Sequence, residues 1–343
     1  MNKNVKSSFK NVLGKLSPLL ALVVLSAVLT IISPQFLTID NWLNITRQAA
    51  INAMISLGIM VCIVTGGIDL SVGSMMALSA IIMAKCVQAG MNGILAILVC
   101  LISGAVLGLI NGLLLTVVKL PHPFIATLGT QNAYRGLALI ITAAVPISFS
   151  GKGIDEGTAE LVTWIGSGDL LGVPVCLWLI VVVYAIFNVF LKRTRLGRHI
   201  YAIGGNRTTA RLSGVNVEKT LTLTHTISGL MCAVAALVLV GRTNSASPIA
   251  GQNYETDAIA AVIIGGGSFF GGRGTTFGTL SGVVLIAVLR NGLNLMNVTA
   301  DAQLVVIGLV IILAVSIDIL RTGGYRRIKK IDIPTNPSIA VNK

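Results

Sequence analysis

Charge is what this sequence has least of. Asp and Glu together number 12 of 343 residues, and charged residues of all kinds make up 11% against 54% hydrophobic ones. A soluble globular chain carries far more charge, so water is excluded as the main solvent and the bilayer takes its place. Phosphate-cradling loops are also missing. G-x-x-x-x-G-K-[ST] occurs nowhere, so no segment combines the backbone cradle and the lysine that hold a nucleotide, and no ATP site is assigned. Cys62, Cys86, Cys100, Cys176 and Cys232 form no C-x-x-C pair and have no His at metal spacing. They read as small buried hydrophobes rather than metal ligands. His122, His199 and His225 each lack a partner at i+3 or i+4, so the constellation an enzyme needs is absent and each reads as structural.

What is present is a series of apolar stretches near the length of about 20 residues that crosses a bilayer. Ten are read: 16–32, 49–65, 70–89, 93–118, 124–147, 173–191, 221–241, 258–272, 277–298 and 302–320. The eighth is the least regular, because its apolar part stops at Ile264 and continues as "GGGSFFGG". Lys3, Lys6, Lys10 and Lys15 precede the first stretch in the manner of a signal peptide. No small-residue cleavage site follows, so a first membrane span is expected.

Cations fix the orientation. With the N-terminus in the cytoplasm, inner segments receive 19 of the 25 Lys and Arg residues: the N-terminus, Lys119, the loop 192–219, Arg273 and the tail 321–343. Outer loops receive only Arg47, Lys152 and Arg242. This asymmetry accounts for the basic balance without a nucleic-acid partner. The scarce acids point the same way. Asp69 and Asp318 fall near predicted cytoplasmic ends and Asp40, Asp155, Glu156, Glu160, Asp169, Glu255, Asp257 and Asp301 in or beside outer loops, leaving no midplane acid for an ion-coupled carrier. Such a self-contained carrier for a small polar solute is the alternative to an energised permease.

"LINGLLL" at 109–115 and "LRNGLNL" at 289–295 share L-x-N-G-L-x-L five spans apart, the pattern of an inverted-topology repeat. Two Gly-rich interruptions, "TGGIDLSVGS" at 65–74 and "IGGGSFFGGRG" at 264–274, put backbone out of the helix at membrane depth. Such backbone must be buried in protein or line a wet cavity. Asp69, Ser71, Ser74, Asn111 and Ser268 are therefore pathway candidates, although capping of the third span is the preferred reading of Asp69. Arg135 and Arg290 lie within spans and need interior partners, for which Gln131, Asn132, Asn291 and Asn294 are at hand. A hydroxyl-rich solute and a structural hydrogen-bond cluster fit these groups equally. Gly104, Gly108 and Gly112 in the fourth span, and Gly278 and Gly282 in the ninth, recur every four residues and let neighbouring helices approach.

Between spans six and seven, "TRLGRHIYAIGGNRTTARLSGV" at 194–215 alternates arginines with Leu196, Ile200, Tyr201 and Ile203, turns at Gly-Gly, and ends a short helix at Gly214. A merely solvated loop has no use for those apolar side chains. They mark a docking surface for a protein partner.

Five ordered motifs then carry a family resemblance: "GGIDLSVGS" at 66–74, "PFIATLGT" at 123–130, "TRLGRHIYAIGGNRTTARLSGVNV" at 194–217, "YETDAIAAVIIGGGSFFGGRGTTFGTLSG" at 254–282 and "NGLNLMNV" at 291–298. Together they resemble the membrane permease subunits of bacterial ABC importers for monosaccharides, the ribose type. The resemblance implies one all-α polytopic permease domain over 1–343, in the bacterial inner membrane, with both termini cytoplasmic. It implies a homo- or heterodimeric pair, a cytoplasmic ATPase that holds ATP and Mg, and a periplasmic sugar-binding protein received by outer loops 148–172 and 242–257. No cofactor is expected on this chain. A coupling role would fall on Arg195, Gly197, Arg198, Tyr201, Gly204, Gly205, Asn206, Arg211, Leu212, Ser213 and Gly214. The histidine of "PHPF" and Arg290, where a neutral residue is usual, depart from the pattern.

Overall fold

The computed structural model describes the backbone of residues 3–149 and 156–322. Helices α1 (Lys3–Ile32), α2 (Ile39–Val64), α3 (Val72–Gln88), α4 (Gly93–Thr116) and α5 (Pro123–Thr142) come first. They are followed by β1 (Ile147–Ser148), α6 (Glu156–Ser167), β2 (Asp169–Leu170) and β3 (Val173–Pro174). Next come α7 (Val175–Arg193), α8 (Arg195–Gly205), α9 (Arg207–Leu212), α10 (Val217–Thr243), β4 (Ser245–Ala246), α11 (Tyr254–Ile264), α12 (Thr276–Leu295) and α13 (Ala300–Thr322). The basic tail expected over 321–343 lies outside the described residues from 323 on. So do loop residues 150–155 and the side chains of Lys3, Lys6, Lys10, Lys15, Glu156 and Asp318.

Polar loop residues decide where the helices start. Thr38, Asn92, Asn216 and Thr275 accept hydrogen bonds from the N–H groups of Asn41, Ile94, Lys219 and Gly278, in the first turns of α2, α4, α10 and α12. These caps satisfy donors that hydrocarbon cannot solvate. Six helices, α2, α4, α7, α10, α12 and α13, are long and apolar enough to cross a membrane. With the Pro18–Ile32 part of α1 and α3 as shorter apolar helices, and only two-residue strands among the described residues, the chain is an all-α polytopic membrane protein. α2, α3 and α10 form the buried centre, and α13 and the outer faces of α4 and α7 present Leu, Ile and Val outward.

α2 ties the two ends of the bundle together. Near its start, Arg47 pairs with Asp169 of β2 at 3.0 Å; at its finish, the Val64 carbonyl accepts from Gly272 N–H at 2.8 Å. Seventeen helical residues separate these points by about 26 Å. The antiparallel β1–β4 pair and α6, whose Gly166 lies against the Gly241–Arg242 backbone, belong to the Asp169 end. α8 and the Gly-rich turns belong to the Gly272 end.

Helix neighbours follow a repeating pattern. α4 packs on α10 and α12 on α2; α3 touches α4 and α5, and α11 touches α12 and α13. The contacts of α2–α5 therefore recur in α10–α13, with α2 and α10 exchanging places. In this order the link from α2 to α3 matches the link from α10 to α11. The Gly-rich stretches at 65–74 and 264–274 are thus not each other's equivalents; they meet at the Gly272 end through Gly66 and Gly271, and the first then runs inward to Gly73.

The eighth apolar stretch needs correction. Expected over 258–272, it is the 11-residue α11, about 16 Å long against a hydrocarbon core of about 30 Å. Gly266, at φ 90°, takes the chain out of the helix there, and Gly265 lies so close to the Gly278 backbone that no Cβ fits. α3 and α11 are both short, and they meet at their first turns, where Gly73 faces the Gly251 carbonyl and Glu255.

Candidate functional site

At the Gly272 end, α8 is amphipathic. Gly197, Ile200 and Ile203 are buried, while Arg195, Arg198 and Gly205 are exposed. The Gly-Gly pair was expected to make the turn, but Gly204 and Gly205 are the last residues of α8. The chain turns at Asn206 (φ −159°), whose side chain accepts from Thr209 N–H and starts α9. Gly204 is needed for contact, not flexibility: a Cβ there would collide with the Val64 carbonyl and with Gly272 N. Gly271 and Gly272 (φ 80° and 73°) pack on Gly204, and Tyr201 donates its hydroxyl to the Gly274 carbonyl at 2.7 Å. Burial pushes the Tyr201 phenol up, which keeps it a neutral donor. Two glycine turns, after α2 and between α11 and α12, thus meet the last helical turn of α8 in one joint. Ser268 belongs to the second of these turns, where its Oγ accepts from Phe270 N–H and its own N–H donates to the Arg273 carbonyl.

The residues assigned to coupling therefore divide. Gly197, Tyr201 and Gly204 face the bundle. Arg195, Arg198, Gly205, Asn206, Arg211, Leu212, Ser213 and Gly214 are exposed, Leu212 at 85%. Arg211 is held by an ion pair to Glu218. The outward surface is basic, with one bare leucine.

The pathway candidates fall into separate environments. Asp69 is fully buried rather than in a cytoplasmic turn. Its Oδ1 accepts from Ser71 N–H and Oγ at 3.0 and 2.6 Å, as a capping group does, but its Oδ2 accepts from Ser228 Oγ of α10 at 2.9 Å. Asn111 donates to Ser71 Oγ at 2.7 Å and accepts from Tyr134 Oη at 3.2 Å, and Ser74 Oγ donates to the Ser71 carbonyl. This cluster stitches α3, α4, α5 and α10 together.

Arg290 makes a two-pronged contact with Asp257: Nε to Oδ2 at 2.7 Å and Nη2 to Oδ1 at 2.9 Å. Asn52 of α2 donates to the same carboxyl at 3.3 Å. Asn291 exchanges hydrogen bonds with Asn41, and Asn294 accepts from Gln303 at 2.8 Å. These contacts tie helices to one another.

Gln131, Asn132 and Arg135 instead line a cavity of about 310 Å³ with Gln252, Asn253 and Glu255. Gln131 donates to Glu255 Oε1 at 3.2 Å, and Arg135 Nη1 donates to the carbonyls of Pro248 and Ala250 at 2.6 and 2.7 Å. Glu255 and Asp257, expected in or beside an outer loop, are buried in the first turn of α11. Gln131, Asn132, Asn291 and Asn294 were the partners expected for Arg290, and Asp257 takes that place instead; the need of a buried cation for a counter-ion is the signal that could have found it. Nothing local marked Glu255, Gln252 or Asn253.

The glycine rows are contact surfaces. Gly104, Gly108 and Gly112 of α4 lie against Gly229, His225 and Thr222 of α10, and Gly278 and Gly282 of α12 against Gly265 and Ala261. Backbone meets backbone in every case, so larger side chains are excluded.

A polytopic helical bundle with two short helices meeting beside a polar cavity, and a basic amphipathic helix fastened at one end, is the architecture of a membrane permease. The chain belongs to the family described as branched-chain amino acid transport system / permease component, which matches residues 41–315. It is 46% identical over 310 residues to the ribose import permease protein RbsC of Bacillus subtilis (strain 168), covering 90% of this chain and 94% of that one. It is 41% identical over 320 residues to the ribose import permease protein RbsC of Haemophilus influenzae (strain ATCC 51907 / DSM 11121 / KW20 / Rd), covering 93% and 98%. To the D-allose transport system permease protein AlsC of Escherichia coli (strain K12) it is 39% identical over 301 residues, covering 87% and 89%. All three are named as permeases and none as an enzyme. No solved structure matches.

Proposed function

We propose that this chain is the membrane permease subunit of an ATP-driven importer for ribose or a related monosaccharide. It works in the bacterial inner membrane as one of a pair, with both termini in the cytoplasm. The observation that carries the reading is the glycine joint. α8 presents an exposed basic surface, and its far end is locked through Gly204 to Val64 of α2 and to Gly272 beside α12. A partner that moves α8 therefore moves core helices with it.

That partner is a cytoplasmic ATPase, which binds ATP and Mg; this chain supplies the contact and not the chemistry. At the opposite end, the β1–β4 pair, α6 and the loop before α11 receive a periplasmic sugar-binding protein. Movement of α8 on ATP binding and release rocks α2 and α12, and the path opens alternately to either side.

The test is co-purification and uptake. The tagged protein brings an ATPase with it from native membranes, and vesicles holding the assembly take up ribose when given ATP. Uptake that follows a proton gradient without ATP, and no ATPase, would sink the reading in favour of a self-contained carrier. Arg198→Glu with Gly205→Trp alters only exposed positions. Full membrane insertion with at least about tenfold lower ATP-driven uptake is expected, the loss of one strong contact at an interface; unchanged uptake removes α8 from the coupling role.

A further inference from the structure

We infer that the cavity between α5 and the first turn of α11 is a transit site that binds the sugar itself through Glu255, Gln131 and Arg135. The inference rests on the proposed function and deepens it, from a path of unspecified chemistry to particular binding groups. At about 310 Å³ the cavity lies at the small end of the roughly 300–1,000 Å³ range of small-molecule sites.

Its polar groups are positioned before any ligand arrives. Gln131 holds Glu255 Oε1 at 3.2 Å, and Oε2 lies beside Gly73 at the first turn of α3. Arg135 is fixed through Nη1 to the carbonyls of Pro248 and Ala250. Among the described residues Arg135 and Glu255 make no close salt bridge, but their opposite charges attract across the cavity. Asn253 adopts left-handed backbone at φ 66° and, with Gln252, brings two carboxamides to the rim. Carboxamide side chains suit hydroxyls because each offers both donors and an acceptor.

Charge selects the ligand class. One acidic and one basic side chain in the same cavity cancel, so neither a cation nor an anion is favoured over a neutral polyhydroxylated solute. Among the described residues no aromatic ring lines the cavity, so a sugar meets hydrogen-bonding groups there. Weak holding is what a path requires, since a site must release its cargo as readily as it accepts it.

The test uses the full chain assembled with its ATPase in sealed proteoliposomes. Asn132→Cys, with Cys86→Ser to remove the one native thiol that is not buried, is labelled with a membrane-impermeant maleimide. Gln252→Cys, exposed at the rim of the same cavity, is the second reporter in case the first disturbs folding. D-Ribose or D-allose slows labelling, and the concentration for half-protection rises about tenfold or more when Glu255→Gln is added, as for loss of a hydrogen bond to a charged group. The labelling rate without sugar stays the same. Absence of protection by either sugar, in an assembly that still imports ribose with ATP, overturns the site and leaves the proposed function standing. Protection by sodium chloride alone overturns the sugar as its ligand. An assembly that imports neither sugar with ATP overturns the functional reading and the site together.

Discussion

The cluster around Asp69 and the cavity around Glu255 lie on either side of one glycine contact, Gly73 against the Gly251 carbonyl, yet one is sealed and the other open. Both contain a buried carboxyl group close to the first turn of a short helix, where the helix dipole favours negative charge. Around Asp69 both carboxyl oxygens and the neighbouring Ser71, Asn111, Tyr134 and Ser228 bond to one another. Around Glu255 and Arg135 the side-chain bonds given by the described residues are fewer, one to a carboxyl oxygen and two from a single guanidinium nitrogen, and the groups face a cavity. The difference teaches that the same residue types act as structural ties when the protein completes their hydrogen bonds and as a binding surface when it does not.

The largest way to break the comparison is to separate the two regions. Gly73→Leu forces a side chain against the Gly251 backbone, which cannot yield as a flexible side chain would. A loss of about 3 kcal/mol or more is expected, read as little folded protein in detergent by size-exclusion chromatography. Asp69→Ala strips the sealed cluster of its acceptor and leaves Ser71 and Ser228 unsatisfied. The expected cost is about 2–3 kcal/mol, measured as a lower midpoint of thermal unfolding; an unchanged midpoint would show that the cluster is not a tie. At the open cavity, Asn132→Ala removes a side chain whose only bond among the described residues is to the Leu128 carbonyl of its own helix. Its stability change is expected within about 0.5 kcal/mol. A loss as large as that of Asp69→Ala would erase the distinction.

Much of the helical framework was legible before folding was considered. The fourth apolar stretch, expected over 93–118, is α4 at Gly93–Thr116, and the seventh, over 221–241, lies within α10. Hydropathy reads such segments well because an unpaired backbone group in hydrocarbon leaves few options besides the helix. Depth and partnership were not legible. Asp69 was assigned to a cytoplasmic turn and Glu255 and Asp257 to an outer loop, because each stands at the edge of an apolar run. A residue at such an edge is solvated only if the chain there reaches the surface, and α3 and α11 begin inside the bundle. The Gly-Gly pair at 204–205 was read as a turn because glycine permits one. The close approach of Val64, far away in sequence, is the reason for Gly204 instead.

Sequence alone determined that this protein lives in a bilayer, which segments are helical, and where small residues leave room for neighbours. These are local properties, decided by transfer from water and by backbone satisfaction within each segment. Tertiary structure alone decided that Arg290 meets Asp257, that Gln131 meets Glu255 across 124 positions, and that one polar cluster closes while its neighbour stays open. Which polar groups find partners depends on how distant helices pack, and no local pattern encodes that geometry.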